Sequence, residues 1–83
     1  MAMVALSPSA AKELDELPRS VRALVLDILE RLEQWPAVSG AKPLRGSLAG
    51  HYRIRTRDYR VQFHVRGEYV LVEKIGHRDG FYE

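Results

Sequence analysis

The stretch Gly50–Val65, GHYRIRTRDYRVQFHV, decides the fold, because its polarity alternates with a period of two. Tyr52, Ile54 and Thr56 interleave with Arg53, Arg55 and Arg57. After Asp58, Tyr59, Val61, Phe63 and Val65 interleave with Arg60, Gln62 and His64. Successive strand side chains point to opposite faces, so the pattern predicts two β-strands, each with an apolar side and a mainly basic side. A turn through Arg57-Asp58 sets Thr56 against Tyr59, Arg55 against Arg60, Ile54 against Val61, Arg53 against Gln62 and Tyr52 against Phe63. A four-residue loop from Thr56 to Tyr59 keeps that register; a three-residue loop breaks it. Two arginines directly opposed repel by roughly a few tenths of a kcal/mol. A solvated surface tolerates this, and a bound anion would relieve it.

Downstream, Arg66-Gly67 marks a second turn and Tyr69–Ile75 a third strand. Val70 and Val72 are expected to join Val61 and Phe63 on the apolar side. Leu71, Glu73 and Ile75 then fall on the side of Arg60 and Gln62, with Glu73 expected as an ion-pair partner of Arg60. Gly76 ends the strand. Upstream, Pro36, Gly40, Pro43, Gly46 and Gly50 break any regular pattern, so the segment from Trp35 to Gly50 reads as irregular. Before it, Val21, Leu24, Val25, Ile28, Leu29, Leu32 and Trp35 repeat at helical spacing, predicting a helix from Arg19 or Ser20 to about Gln34. A shorter helix is expected from Pro8 to about Leu17, with Ser7 as N-cap, Pro8 at the first helical position and Pro18 ending it. Met3–Leu6 reads as an initial strand. The order β-α-α-β-β-β implies an α+β fold: a twisted, mainly antiparallel sheet with a helical hairpin on one face. The other face is left to Arg53, Arg55 and Arg60, over a shallow cleft.

The 83 residues are expected to form a single domain, 1–83. There is no cysteine, which excludes disulfides, thiol nucleophiles and thiolate metal sites. His51, His64 and His77 lack the close spacing of a metal motif, so neither metal nor cofactor is expected. No apolar run is long enough for a membrane span and no signal segment is visible, which predicts a soluble, cytoplasmic protein with no membrane partner. The net charge of +2 is unevenly placed: residues 1–41 hold four basic and six acidic side chains, residues 42–83 nine and five. Arginine's planar fork suits phosphate. The basic half therefore reads either as a solvated surface or as the seat of a phosphate-bearing partner.

The whole pattern resembles the RelE/ParE superfamily of toxins from type II toxin–antitoxin systems. The resemblance is carried by PLRGSLAGHYRIRTRDYRVQF at Pro43–Phe63 and EKIGHRDGFY at Glu73–Tyr82. It implies the small RelE-like fold and, since the basic and tyrosine set is present, the branch of ribosome-dependent endoribonucleases that cut mRNA in the A site. The other branch inhibits DNA gyrase without enzymatic activity, and a degenerate toxin would only bind its antitoxin. By this resemblance Arg55 and Arg60 stabilise the transition-state phosphate and Arg53 holds a flanking phosphate. Tyr82 is the general base and Arg78 the general acid, with His77 competing for an acid or base role. This sequence has Arg-Arg at 53 and 55 where the family pattern is Lys-Lys. Cleavage through the 2′-hydroxyl needs that group deprotonated, the developing charge stabilised and the 5′-oxygen protonated. A phenol titrates near pH ~10, and neighbouring guanidinium groups favour its phenolate. Tyr82 also reads as a terminal aromatic capping the core, and Lys42 and Arg45 as loop charges or as RNA-binding residues. His51 is expected to face solvent, and Tyr52, Tyr59 and Phe63 to be core. The implied partners are a cognate antitoxin, mRNA and the ribosome with its rRNA, and operator DNA only through the antitoxin.

Overall fold

The structure, a computed structural model, describes residues 1–81. Strand β1 (Met3–Leu6) leads to helices α1 (Pro8–Asp15) and α2 (Arg19–Leu32). Strands β2 (Lys42–Pro43), β3 (His51–Thr56), β4 (Tyr59–Arg66) and β5 (Tyr69–His77) follow. The five strands form one open mixed sheet in the order β1-β5-β4-β3-β2, in which β1 runs parallel to β5 and the other pairs are antiparallel. No helix among the described residues is long and apolar enough to cross a membrane.

The helices follow from their capping and their apolar stripes. The Ser7 hydroxyl accepts from the Ala10 amide at 3.1 Å, and Pro8 occupies the first turn, where its missing N–H costs nothing. Both helices end one or two residues sooner than their periodicity suggests, within the usual fraying of helix ends. Val21, Val25, Ile28 and Leu32 of α2, with Ala10 and Leu14 of α1, meet Ile54, Val61, Phe63, Val70, Val72 and Ile75 in one core. The ring of Trp35 closes its end, edge-on to Tyr52 and Phe63 at 4.6 and 5.3 Å between centroids. Fully burying each large apolar side chain contributes roughly 1.5–3 kcal/mol.

The β3–β4 register is the one the alternation predicts, from Thr56 against Tyr59 to Tyr52 against Phe63. Its turn places Arg57 at φ 54°, in the left-handed region. Three expectations fail. Gly76 does not end the third strand, which runs on to His77. The segment before Gly50 is not wholly irregular, because Lys42 and Pro43 pair with Arg53 and Tyr52 as an edge strand. Proline is admissible there because an edge leaves one row of amides unpaired in any case. The β5 strand also changes register: Gln62 pairs with Lys74 but Phe63 with Val72, leaving Glu73 as the extra residue of a bulge. Ile75 consequently lies opposite Val61 in the core, 2% exposed, and not on the side of Arg60. Strand β1 stops at Leu6, so the β5 edge beyond it takes partners from Ser7, the cap of α1, and from Glu13 in its last turn. The Ser7 hydroxyl donates to the Glu73 carbonyl at 3.4 Å, and Glu13 Oε1 accepts from the Ile75 amide at 2.9 Å.

Candidate functional site

The sheet face away from the helices carries His51, Arg53 and Arg55 from β3, and Arg60, Gln62 and His64 from β4. Strand β5 adds Glu73, Lys74 and Gly76. Arg55 stands opposite Arg60, Arg53 lies between Lys42 and Gln62, and His51 stands opposite His64. Along this face, between the β3–β4 hairpin and the segment around β2, runs an open groove of about 850 Å³. Lys42, Arg45, Arg53, Arg55 and Arg60 line it together with apolar Leu44 and Leu48. Five of the basic residues singled out in the sequence thus share one groove, and no carboxylate is among its described lining residues. Such a surface attracts anions and repels metal cations.

Two of those cations are anchored in different ways. Arg60 is only 7% exposed, and its Nη1 donates to the carbonyls of Arg57 and Tyr59 at 3.4 and 3.3 Å. The Arg53 guanidinium lies 5.2 Å from the ring centre of Phe81, and Lys74 Nζ sits 4.3 Å from the same centre. Lys74 also donates to the Gly80 carbonyl at 2.6 Å. Phe81 is 7% exposed, folded back onto the sheet beside Gly76, where an added Cβ would stand 3.7 Å from the ring. Alternation along the strands gives no hint of Phe81. The usable signal is Gly76, which leaves space on an otherwise filled face.

Glu73 does not pair with Arg60. The bulge turns its carboxylate toward His51, whose Nδ1 it bonds, and toward Gln62, whose Nε2 donates at 3.2 Å. Nor does His51 stand in solvent. Its ring lies flat against that of His64, 4.2 Å between centroids and 10° from parallel. This cluster shares the face of the cationic groove.

The C-terminal residues are not all brought to that face. His77 pairs with Tyr59 and meets its ring edge-on at 5.3 Å, on the side of the helices. Its Nδ1 accepts from the Asp79 amide at 3.2 Å and closes a single 3-10 turn over Arg78–Gly80. The bulge fixes this parity, by which Gly76 and not His77 opposes Arg60. Arg78 lies near the β3–β4 turn. Its amide donates to the Asp58 carbonyl at 2.7 Å, and its guanidinium, 59% exposed, stands 3.8 Å from the Asp58 carboxylate. An ion pair that exposed contributes little, about 0–1 kcal/mol, so Arg78 is loosely held. Tyr82 lies outside the described residues. Among the described residues no trio of His, Asp or Glu is grouped to hold a metal ion.

A family model described as the ParE toxin of the type II toxin–antitoxin system, parDE, matches residues 4–80. The chain belongs to this toxin family. Among solved structures, the toxin is similar to the toxin–antitoxin complex RelBE2 from Mycobacterium tuberculosis, with 28% identity and a TM-score of 0.80 over 93% of this chain and 98% of the other. It is similar to the isolated RelE toxin of E. coli at 27% identity and TM-score 0.79, over 93% and 84% of the two chains. The intact E. coli RelBE toxin–antitoxin complex matches at 26% identity and TM-score 0.79, over 93% and 96%. No curated protein matches the sequence. The toxin is thus a RelE/ParE superfamily member with the RelE-like α+β fold.

Proposed function

We propose that the toxin is a ribosome-dependent endoribonuclease that cleaves mRNA in the A site by attack of the 2′-hydroxyl, and so stops translation. The observation that carries this reading is the groove in which Lys42, Arg45, Arg53, Arg55 and Arg60 converge without a carboxylate among the described lining residues. Charge-assisted bonds from arginine to phosphate oxygens bind the RNA backbone and stabilise the doubly charged transition state. Arg55 and the buried Arg60 face each other across the hairpin, so one phosphate between them relieves their repulsion. Arg53, steadied by Phe81, takes the neighbouring phosphate. Lys42 and Arg45 extend the basic track toward RNA of the ribosome. Arg78 stands by the same end of the hairpin as a proton donor, and the family resemblance gives the base role to Tyr82. The reading places the toxin in the cytoplasm, where the ribosomes are. A cognate antitoxin is its partner, as in the RelBE complexes, and it meets operator DNA only through that antitoxin.

The test is to express the wild type, Arg60→Ala, Arg78→Ala and Tyr82→Phe and to map mRNA ends on translating ribosomes. The wild type should leave cuts in phase with codons, and Arg60→Ala should reduce them by about 10²-fold or more. Growth arrest without codon-phased cuts would falsify this reading. The ParE description of the matching family favours a second reading, non-enzymatic inhibition of DNA gyrase. That reading predicts lost supercoiling activity and insensitivity to substitutions in the groove. A chain that binds antitoxin without arresting growth would instead be a binding module alone.

A further inference from the structure

His51, Glu73 and His64 form a built arrangement that the phosphate-binding roles do not use. Glu73 is the extra residue of the β5 bulge, and that bulge turns its carboxylate across β4 to the His51 ring on β3. Gln62 donates to the same carboxylate oxygen, and the Ser7 hydroxyl holds the Glu73 carbonyl from behind. His64 stacks flat on His51 and is backed by Gly50, where an added Cβ would come within 3.4 Å of its Nε2. With φ 90°, Gly50 is in the left-handed region, which favours glycine there. The His51 ring is therefore fixed in position and plane.

We infer that His51, oriented by Glu73, is a proton-transfer centre for RNA cleavage, taking the base role that family resemblance assigns to Tyr82. This deepens the ribonuclease reading and rests on it. A carboxylate at Nδ1 selects the tautomer with the proton on that nitrogen, which leaves the Nε2 lone pair as the acceptor. Nε2 makes no hydrogen bond to another described residue. Imidazole is the side chain whose charge normally changes between about pH 5 and 8, so it accepts a proton at working pH more readily than a phenol does. Position matters equally. His51 precedes Arg53 by two residues on the same face of β3, about 7 Å along the strand. It also adjoins Leu44, a wall of the groove, whose amide donates to the His51 carbonyl at 2.9 Å. His51 is not itself among the groove's lining residues, but a phosphate on Arg53 would set the adjoining ribose over the same face of the sheet as the imidazole.

In the step, Nε2 takes the proton of the 2′-hydroxyl as that oxygen bonds to phosphorus. The bond from phosphorus to the 5′-oxygen breaks, and the 5′-oxygen leaves with a proton from Arg78, which water then restores. The products are a 2′,3′-cyclic phosphate and a 5′-hydroxyl, and the imidazolium returns its proton to water. The charged and titratable groups facing His51 are Glu73 from β5, His64 from β4 and Arg53 along β3.

The experiment measures cleavage of mRNA on programmed ribosomes from pH 5.5 to 8.5 by the full chain and by His51→Gln, Glu73→Gln and Arg60→Ala. Thermal melts check that each variant is folded. The wild-type rate should rise through the acid range. His51→Gln should lose about 10²-fold or more in kcat with little change in KM, and its acid limb should flatten. Glu73→Gln should lose about 10-fold and displace the limb, an effect that a purely structural role would not produce. If His51→Gln does not fold, Glu73→Gln decides on the same profile. Wild-type rate and pH profile in both variants, with Arg60→Ala still slowed, overturns the inference and leaves the ribonuclease reading standing. No cleavage by the wild type at any pH overturns both.

Discussion

Arg55 and Arg60 are direct cross-strand partners, and Arg55 forms no ion pair among the described residues. The two like charges stand opposed across the hairpin, a repulsion that a phosphate between them would lower. Opposed residues have Cβ atoms about 4.5–5.5 Å apart, and long side chains splay their charges to roughly 7 Å. Two unit charges at ~7 Å repel by about 0.6 kcal/mol in a medium as polar as water and about 2.4 kcal/mol at an effective dielectric of ~20. Arg55 is exposed while Arg60 is buried, so the lower figure governs. Arg55→Ala should accordingly stabilise the free protein by about 0.5 kcal/mol in urea denaturation at ~0.05 M salt. At ~1 M salt, where the screening length falls to about 3 Å, the gain should vanish. Binding should move the opposite way. A non-cleaved single-stranded RNA should stabilise the wild type more than the variant, by RT ln(1 + [L]/Kd) in each case. Losing one phosphate contact should flatten the dependence of log K on log salt by about 0.7. The reasoning is refuted if Arg55→Ala destabilises the free protein, or if the stability difference is the same at both salt concentrations.

Three further substitutions test the surroundings of the site. Glu13→Ala removes the acceptor for the Ile75 amide and should cost about 1–2 kcal/mol, read as a lower urea midpoint with unchanged slope. Arg57→Gly relieves a left-handed residue, worth about 1–2 kcal/mol, but adds chain entropy of about 0.5–1, so a net gain of roughly 0.5 kcal/mol in the same assay is expected. For Phe81 and Arg53, a double-mutant cycle with Phe81→Ala and Arg53→Ala should return a coupling of about 0.5–1 kcal/mol, and zero coupling would mean that the ring does not hold the guanidinium.

Much of the fold is legible because it is written at short range. The register of β3 on β4 follows from alternation and a two-residue turn, and the opposed Arg55 and Arg60 follow from the register. Capping at Ser7 and the stripe from Val21 to Leu32 place the helices within a turn of where they stand. By contrast, β2 is too short to show any period. A two-residue strand is recognised only by what it pairs with, here Arg53 and Tyr52.

The sequence by itself determines an α+β chain with a basic hairpin face, because periods of 2 and 3.6 residues report which side of each element is buried. Only the tertiary structure decides what that face contains. One bulge on β5 reverses the parity of the strand: Ile75 goes to the core, His77 to the side of the helices, and Glu73 to His51 instead of Arg60. The bulge is held by bonds from Ser7 and Glu13, 66 and 62 residues away along the chain. No local pattern encodes contacts of that separation. Phe81 settles on the face for the same reason, in space that Gly76 leaves beside two cations. Alternation thus supplies the arginines, and long-range contacts supply the groups that position them.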